Sequence, residues 1–310
     1  MAGITGPAAF LISILTTGAI YATLSLGLNL QWGYTGLFNF SVAAFWGIGA
    51  YTTALLLQPD GIAAAVLGPG LTGGPVAIPL AIVLSGLISG IAAAIVAVPV
   101  LRLRGDYLAI ATLGFAETIR LILLNETWLS GGGSGMLVNS PLAGVDYDGL
   151  LRLALSTGVL VVVYSVLRRG IDSPWGRVLT GIREDEDATK ALGKDTVSFK
   201  LQSFVIGSAI MGIAGTLIAL QISFLVPGQF NPEWTFFIWI GMLLGGTGSN
   251  YGALVGGFML VALLNIPRYV PEFGGVLADA RLLVMGVLII VMMTYKPTGL
   301  FGDVNLTEGG

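Results

Sequence analysis

The chain has 310 residues, of which 55% are hydrophobic and only 10% charged, and its net charge is −3. That composition excludes an ordinary soluble domain. It contains no Cys and no His, which excludes disulfides and thiolate metal sites and removes the commonest general base and transition-metal ligand; neither a metal nor a nucleic-acid partner is expected.

The stretch 1–9 lacks the basic segment of a secretory signal, so the first apolar run is expected as a retained helix. A helix rising about 1.5 Å per residue crosses a hydrocarbon layer of roughly 30 Å in ~20 residues. Apolar runs of about that length fall near 8–29, 35–57, 75–100, 106–124, 150–167, 200–222, 234–248, 251–267 and 280–295. They are continuous and rich in Leu, Ile, Ala and Gly, not alternating, which excludes a transmembrane barrel. The expected fold is all-α: a polytopic helical membrane protein with about eight to ten transmembrane helices, one domain over 1–310, interrupted by one long cytoplasmic loop at 168–200.

Lys and Arg favour the cytoplasmic side. No basic residue precedes Arg102, and none lies between Asn125 and Gly149. If nine spans alternate, Arg102, Arg104, the seven basic residues of 168–200 and Lys296 share one side. The amino terminus is then outside and the carboxyl terminus inside. Arg120, Arg152, Arg268 and Arg281 are the remainder.

Glycine supplies 46 residues. Gly86/Gly90, Ser208/Gly212 and Gly252/Gly256 are small residues four apart, the spacing that lets helices pack closely in lipid. The clusters Gly131-Gly132-Gly133-Ser134-Gly135 and Gly245-Gly246-Thr247-Gly248-Ser249 weaken a helix by about 1 kcal/mol per glycine and are expected as breaks or loops. The second break either borders a permeation path or is a plain turn.

The loop 168–200 holds 13 of the 31 charged residues. Ser173-Pro174 reads as a helix start, and a second short helix is expected over Glu184–Leu192, its acidic residues at the positive end, Lys190 four after Glu186, and Gly193 as a left-handed cap. Ala188, Ala191 and Leu192 would give it a small apolar face suited to a shallow groove on another protein; a solvated loop without contacts is the alternative.

Within the membrane, Glu117 and Arg120 stand three apart on one helix and are expected to form an ion pair, with a role in the translocation path as the alternative. Asn29, Gln31, Asn39 and Ser41 are uncharged polar candidates for the same path, or for capping at a helix break. No Walker A loop is present: at the nearest candidate, Gly193-Lys194, Asp195 replaces Ser/Thr and Ala188 stands in place of the first glycine. The chain is therefore expected not to hydrolyse ATP.

The run Gly181-Ile182-Arg183-Glu184-Asp185-Glu186-Asp187-Ala188-Thr189-Lys190-Ala191-Leu192-Gly193 resembles the coupling segment of ABC importer permeases, specifically the M-type permeases of branched-chain amino acid transporters. The resemblance extends through Leu26-Gly27-Leu28-Asn29-Leu30-Gln31-Trp32-Gly33-Tyr34-Thr35-Gly36-Leu37, Leu101-Arg102-Leu103-Arg104-Gly105-Asp106-Tyr107, Gly245-Gly246-Thr247-Gly248-Ser249 and Lys296-Pro297-Thr298-Gly299-Leu300-Phe301-Gly302. The chain departs from the family at Asn39-Phe40-Ser41-Val42, where many relatives carry a Ser-x-Gly-His-like stretch.

The resemblance implies a multi-pass permease subunit of the plasma or inner membrane, taking branched-chain amino acids from an extracellular or periplasmic solute-binding protein. It implies that Arg183, Glu184, Asp185, Glu186, Ala188, Ala191, Leu192 and Gly193 dock on separate ATPase subunits, which use the ATP and Mg, and that a second related permease chain completes the pore. This chain itself would bind no cofactor. Permeases for urea, short amides or simple sugars share the architecture. An ion-coupled carrier using Glu117 is the rival from another class.

Overall fold

The computed structural model describes residues 7–58, 61–68, 71–103, 105–145, 147–265, 286–287, 294–295 and 299–301. Five helices are long and apolar enough to cross a membrane: α1 (Pro7–Gln31), α4 (Ala77–Val100), α5 (Asp106–Asn125), α7 (Asp148–Ile171) and α10 (Thr196–Gln221). Three shorter apolar helices accompany them: α2 (Val42–Leu57), α11 (Glu233–Gly245) and α12 (Asn250–Asn265). The rest are short: α3 (Ile62–Leu67), α6 (Thr127–Ser130), α8 (Pro174–Glu184) and α9 (Glu186–Ala191). A two-residue antiparallel ladder joins β1 (Met136–Leu137) to β2 (Phe224–Leu225).

Helix α10 is the hub, packing on α1, α2, α4, α7 and α8. It is 78% buried over its most apolar stretch, against 22% for α5 and α7, so those two present most of their surface outward. The small-residue spacings lie at helix contacts. Gly86 and Gly90 of α4 face Val205, Ala209 and Ile213 of α10, and a methyl on Gly212 would overlap Ser85 and Ser89 of α4. Gly49 of α2 touches the Gly212 backbone, and Gly252 and Gly256 of α12 touch Gly241 and Gly245 of α11. Without a hydrophobic drive between helices in lipid, such backbone proximity supplies the van der Waals contact that holds the bundle.

Helices α1 and α4 run antiparallel to α10 and α2 runs parallel to it, so two ends of the bundle can be told apart. One end gathers the close of α1, the start of α10, α8 and α9, and the α11–α12 turn. Asn29 reaches Gly248 there, and Gln31 reaches Phe204. The other end gathers the start of α7, where Gly149 lies against Ile12, and the close of α10, where Gln221 donates to Thr17. The relative directions of α1, α7 and α10 agree with alternating spans.

Three expectations need correction. The run 35–57 is not one helix: α1 continues to Gln31, a turn follows, residues 36–41 are non-helical, and α2 starts only at Val42. The cause is local. Gly36 takes φ +75°, Gly36 N donates to Trp32 O, and Leu37 N donates to Gln31 O, so the chain folds back on the last turn of α1 through a left-handed glycine. Second, the spans expected at 234–248 and 251–267 are the arms of a hairpin; the first, α11, has 13 residues and rises only about 20 Å, short of the ~30 Å core, while α12 runs to the edge of the described residues at Asn265. The Gly-rich break between them is a turn. Residues 299–301 close over it: Leu300 N donates to Leu244 O, Phe301 N donates to Gly245 O, and the Phe301 ring meets Tyr251 at 5.2 Å. Third, the helix expected over Glu184–Leu192 is divided. Glu184 ends α8, and Asp185 is extended and caps α9 by accepting from Ala188 N at 2.9 Å. The span expected at 280–295 lies largely outside the described residues, as do Arg104, Arg268, Arg281 and Lys296.

Candidate coupling and translocation sites

Helix α8 starts as its sequence dictates. Ser173 Oγ accepts from Trp175 N at 3.2 Å with Pro174 in the first turn, and Gly176, Leu179 and Ile182 recur at helical spacing to form the buried face. Gly193, at φ +78°, closes α9 as expected. The eight coupling candidates then separate into two sets. Glu184, Asp185, Ala188, Ala191, Leu192 and Gly193 are exposed, and Leu192 is 80% exposed. Arg183 and Glu186 turn inward. Glu186 Oε1 accepts from Lys200 Nζ at 2.7 Å and from Thr196 Oγ1 at 3.3 Å, tying α9 to the first turn of α10. Arg183 donates through Nη1 to Gly33 O at the close of α1, and through Nη2 to Glu184 Oε1 at 2.6 Å.

The four polar candidates Asn29, Gln31, Asn39 and Ser41 are all fully buried within this chain. Gln31 donates to Phe204 O at 2.8 Å and Ser208 Oγ at 3.1 Å, and accepts from Asn39 Nδ2 at 2.6 Å. Asn39 Oδ1 accepts from Ser41 N at 2.7 Å and from the Ser41 hydroxyl, and Asn39 O accepts from Trp239 Nε1 at 3.0 Å. Asn29 Oδ1 accepts from Gly248 N at 2.9 Å. The structure joins Gln31, Asn39 and Ser41 in one hydrogen-bonded network, while Asn29 bonds separately to Gly248 and Asn250. The network satisfies the backbone and side chains of a non-helical stretch that would otherwise be unpaired at membrane depth.

The non-helical stretch alternates, as a strand does. Leu37, Asn39 and Ser41 point inward, while Phe38 and Phe40 are half-buried and look out. Phe40 stacks on Trp239 at 5.0 Å and lies 5.3 Å from Phe236, whose ring is largely exposed. Phe40 N donates to Thr112 Oγ1 of α5 at 2.9 Å, so this aromatic wall adjoins α5. The sequence reading passed over Phe38, Phe40, Phe236 and Trp239. The signal available was the polar–apolar alternation of residues 37–41, which the expectation of a continuous helix concealed.

Helix α5 buries Leu108, Thr112, Ala116 and Leu123 and leaves a stripe of Ile110, Gly114, Thr118 and Leu121 exposed. Glu117 borders that stripe, and its carboxylate meets Arg120 in a forked ion pair, with bonds of 2.9 and 2.5 Å, while remaining 40% exposed. An ion pair halfway along a membrane helix does not face lipid tails; it faces protein or water.

A family model described as the permease component of branched-chain amino acid transport systems matches residues 10–293. The chain belongs to that family. It is 35% identical to the high-affinity branched-chain amino acid transport system permease protein LivM of Salmonella typhimurium, an alignment covering 93% of this chain and 69% of that one. It is 31% identical to the probable branched-chain amino acid transport permease protein LivM of Methanocaldococcus jannaschii, over 94% and 92% of the two chains. Similarity to the permease protein LivH of Escherichia coli K12 is lower, at 24% identity over 93% of each chain. No solved structure matches. As a multi-pass member of this permease family, the chain carries its most charged segment as the exposed α8–α9 pair at one end of the bundle.

Proposed function

We propose that this chain is the permease subunit of an ABC importer of the plasma or inner membrane, and that it moves branched-chain amino acids inward from a solute-binding protein. Separate ATPase subunits, using ATP and Mg, dock on the exposed face of α9 and the α8–α9 joint. A second, related permease chain covers α5 and completes the path between the two chains. The observation that carries this reading is the outward face of Glu184, Ala188, Ala191 and Leu192 on a short helix pinned at its base by two ion-paired residues, in a chain of this family. An exposed Leu on a firmly anchored surface element suits a partner's groove.

The aromatic wall of Phe38, Phe40 and Phe236 beside α5 supports an apolar substrate. The buried polar residues Asn29, Gln31, Asn39 and Ser41 are proposed to hold that wall in place, and Glu117 and Arg120 to line the inter-chain path.

The test is the double variant A188K/L192D, which alters two exposed positions and leaves the Arg183–Glu184 and Lys200–Glu186 pairs intact. Expected are normal insertion, a fall of about tenfold or more in co-purified ATPase, as for loss of a central contact, and a parallel fall in ATP-dependent leucine uptake by vesicles. Isoleucine and valine, and not urea, compete with uptake in the parent. Uptake that persists after the ATPase is lost overturns the proposal in favour of an ion-coupled carrier.

A further inference from the structure

Resting on the reading of α8–α9 as the ATPase dock, we propose that Arg183 is a positioning residue that passes movement of the dock to the non-helical turn between α1 and α2. Its side chain is only 18% exposed, whereas its ion-pair partner Glu184 is 55% exposed. The guanidinium donates to Gly33 O, and its stem lies over Gly36, where a methyl group would sit 3.2 Å from Arg183 Cγ. Gly33 and Gly36 lie in the turn that ends α1.

From that ending, hydrogen bonds reach every element of the inner bundle at this end. Asn29 holds the α11–α12 turn through Gly248 N; Gln31 holds α10 through Phe204 O and Ser208 Oγ; Asn39 joins Gln31 to Trp239 of α11. The same turn carries Phe38 and Phe40 of the proposed substrate wall. Two further anchors of the dock, Glu186 to Lys200 and Trp175 Nε1 to Gln202 Oε1, reach α10. Arg183 is thus a cation through which a shift of α8 reaches the wall residues, because packed networks of this kind move between discrete arrangements as units.

The experiment uses the full permease complex with its ATPase subunits in lipid nanodiscs and proteoliposomes, comparing R183M and R183K with the parent. Met keeps the stem and loses the donors; Lys keeps the charge and at most one donor to Gly33 O. Expected for R183M are retained ATPase subunits, retained ATP hydrolysis, and leucine moved per ATP reduced by about tenfold, the scale of one charge-assisted hydrogen bond. R183K restores part of that ratio, and hydrogen exchange at the Gly36 and Leu37 amides rises in R183M while that of α9 is unchanged.

Parent-like leucine per ATP in both variants overturns the proposal, as does loss of the ATPase from R183M, which would make Arg183 a docking or folding residue. If R183M is not recovered folded, R183K decides: a parent-like ratio overturns the proposal, and a reduced ratio with ATPase retained supports it. A parent complex that binds no ATPase, or imports without one, removes the underlying functional reading and is seen before any variant is made.

Discussion

Gln31 shows how much one amide can organise. It satisfies two groups on α10 and one on the non-helical stretch, all fully buried, so removing it leaves several polar groups without partners. Each buried group left unpaired costs about 1–3 kcal/mol. Gln31→Leu, which conserves bulk, is therefore expected to lower the unfolding midpoint in detergent markedly, and N39L to do so through the same bonds. A double variant no worse than either single one checks that they act as a unit, as neighbours in one network do. Phe40→Leu should leave stability nearly unchanged, a loss of about 1 kcal/mol or less for a half-buried ring, while altering the relative uptake of leucine and valine. The identities of the polar residues were readable from the sequence. Their direction was not, because it depends on Gly36 ending α1 five residues after Gln31 and on a period of two that a helical reading assigns to the wrong faces.

At the scale of helices, the small-residue seams were legible from spacing alone, since a small residue every fourth position serves no other purpose in a chain with so little polar surface. What spacing cannot rank is how tight each seam is. Gly49 meets the Gly212 backbone directly, whereas a methyl on Gly90 would find only ordinary contacts, at 3.6 Å and beyond, with Val205 and Ala209. Gly49→Ala is expected to cost about 1–3 kcal/mol through overpacking, and Gly90→Ala to be neutral or slightly stabilising; thermal melts of the two purified variants check the contrast. The start of α9 was misplaced by two residues for a related reason, Glu184 being expected and Glu186 found. Four consecutive acidic residues all suit a helix start, and only the extended backbone at Asp185, with its side chain on Ala188 N, singles out the cap.

For the molecule as a whole, composition alone disclosed an all-helical membrane fold, and the charge pattern set apart the segment that forms α8 and α9. The short helix α11 and the break before α2 were hidden, because hydropathy sums over a window and does not register where the backbone stops being helical. The half-buried Glu117–Arg120 pair is a whole-molecule feature, because the proposed second permease chain would cover it. Removing one member strands a charge, whereas removing both does not. E117A is therefore expected to reduce the yield of monodisperse permease complex severalfold, and E117A/R120A to recover much of it, with size-exclusion profiles as the check; equal yields for single and double variants would show the pair to be solvated and independent.

The clasp of residues 299–301 on the α11–α12 turn has a consequence in time. Phe301 bonds to Gly245, which leaves the ribosome some fifty residues earlier, roughly 3–11 s before its partner at 5–20 residues per second. During that interval Asn29 can already hold the turn from one side through Gly248, but the carbonyls of Leu244 and Gly245 wait for donors that do not yet exist. Among the described residues this contact is thus one of the latest to form, and the bundle end that carries α8 and α9 is completed after the rest of the helices have been made.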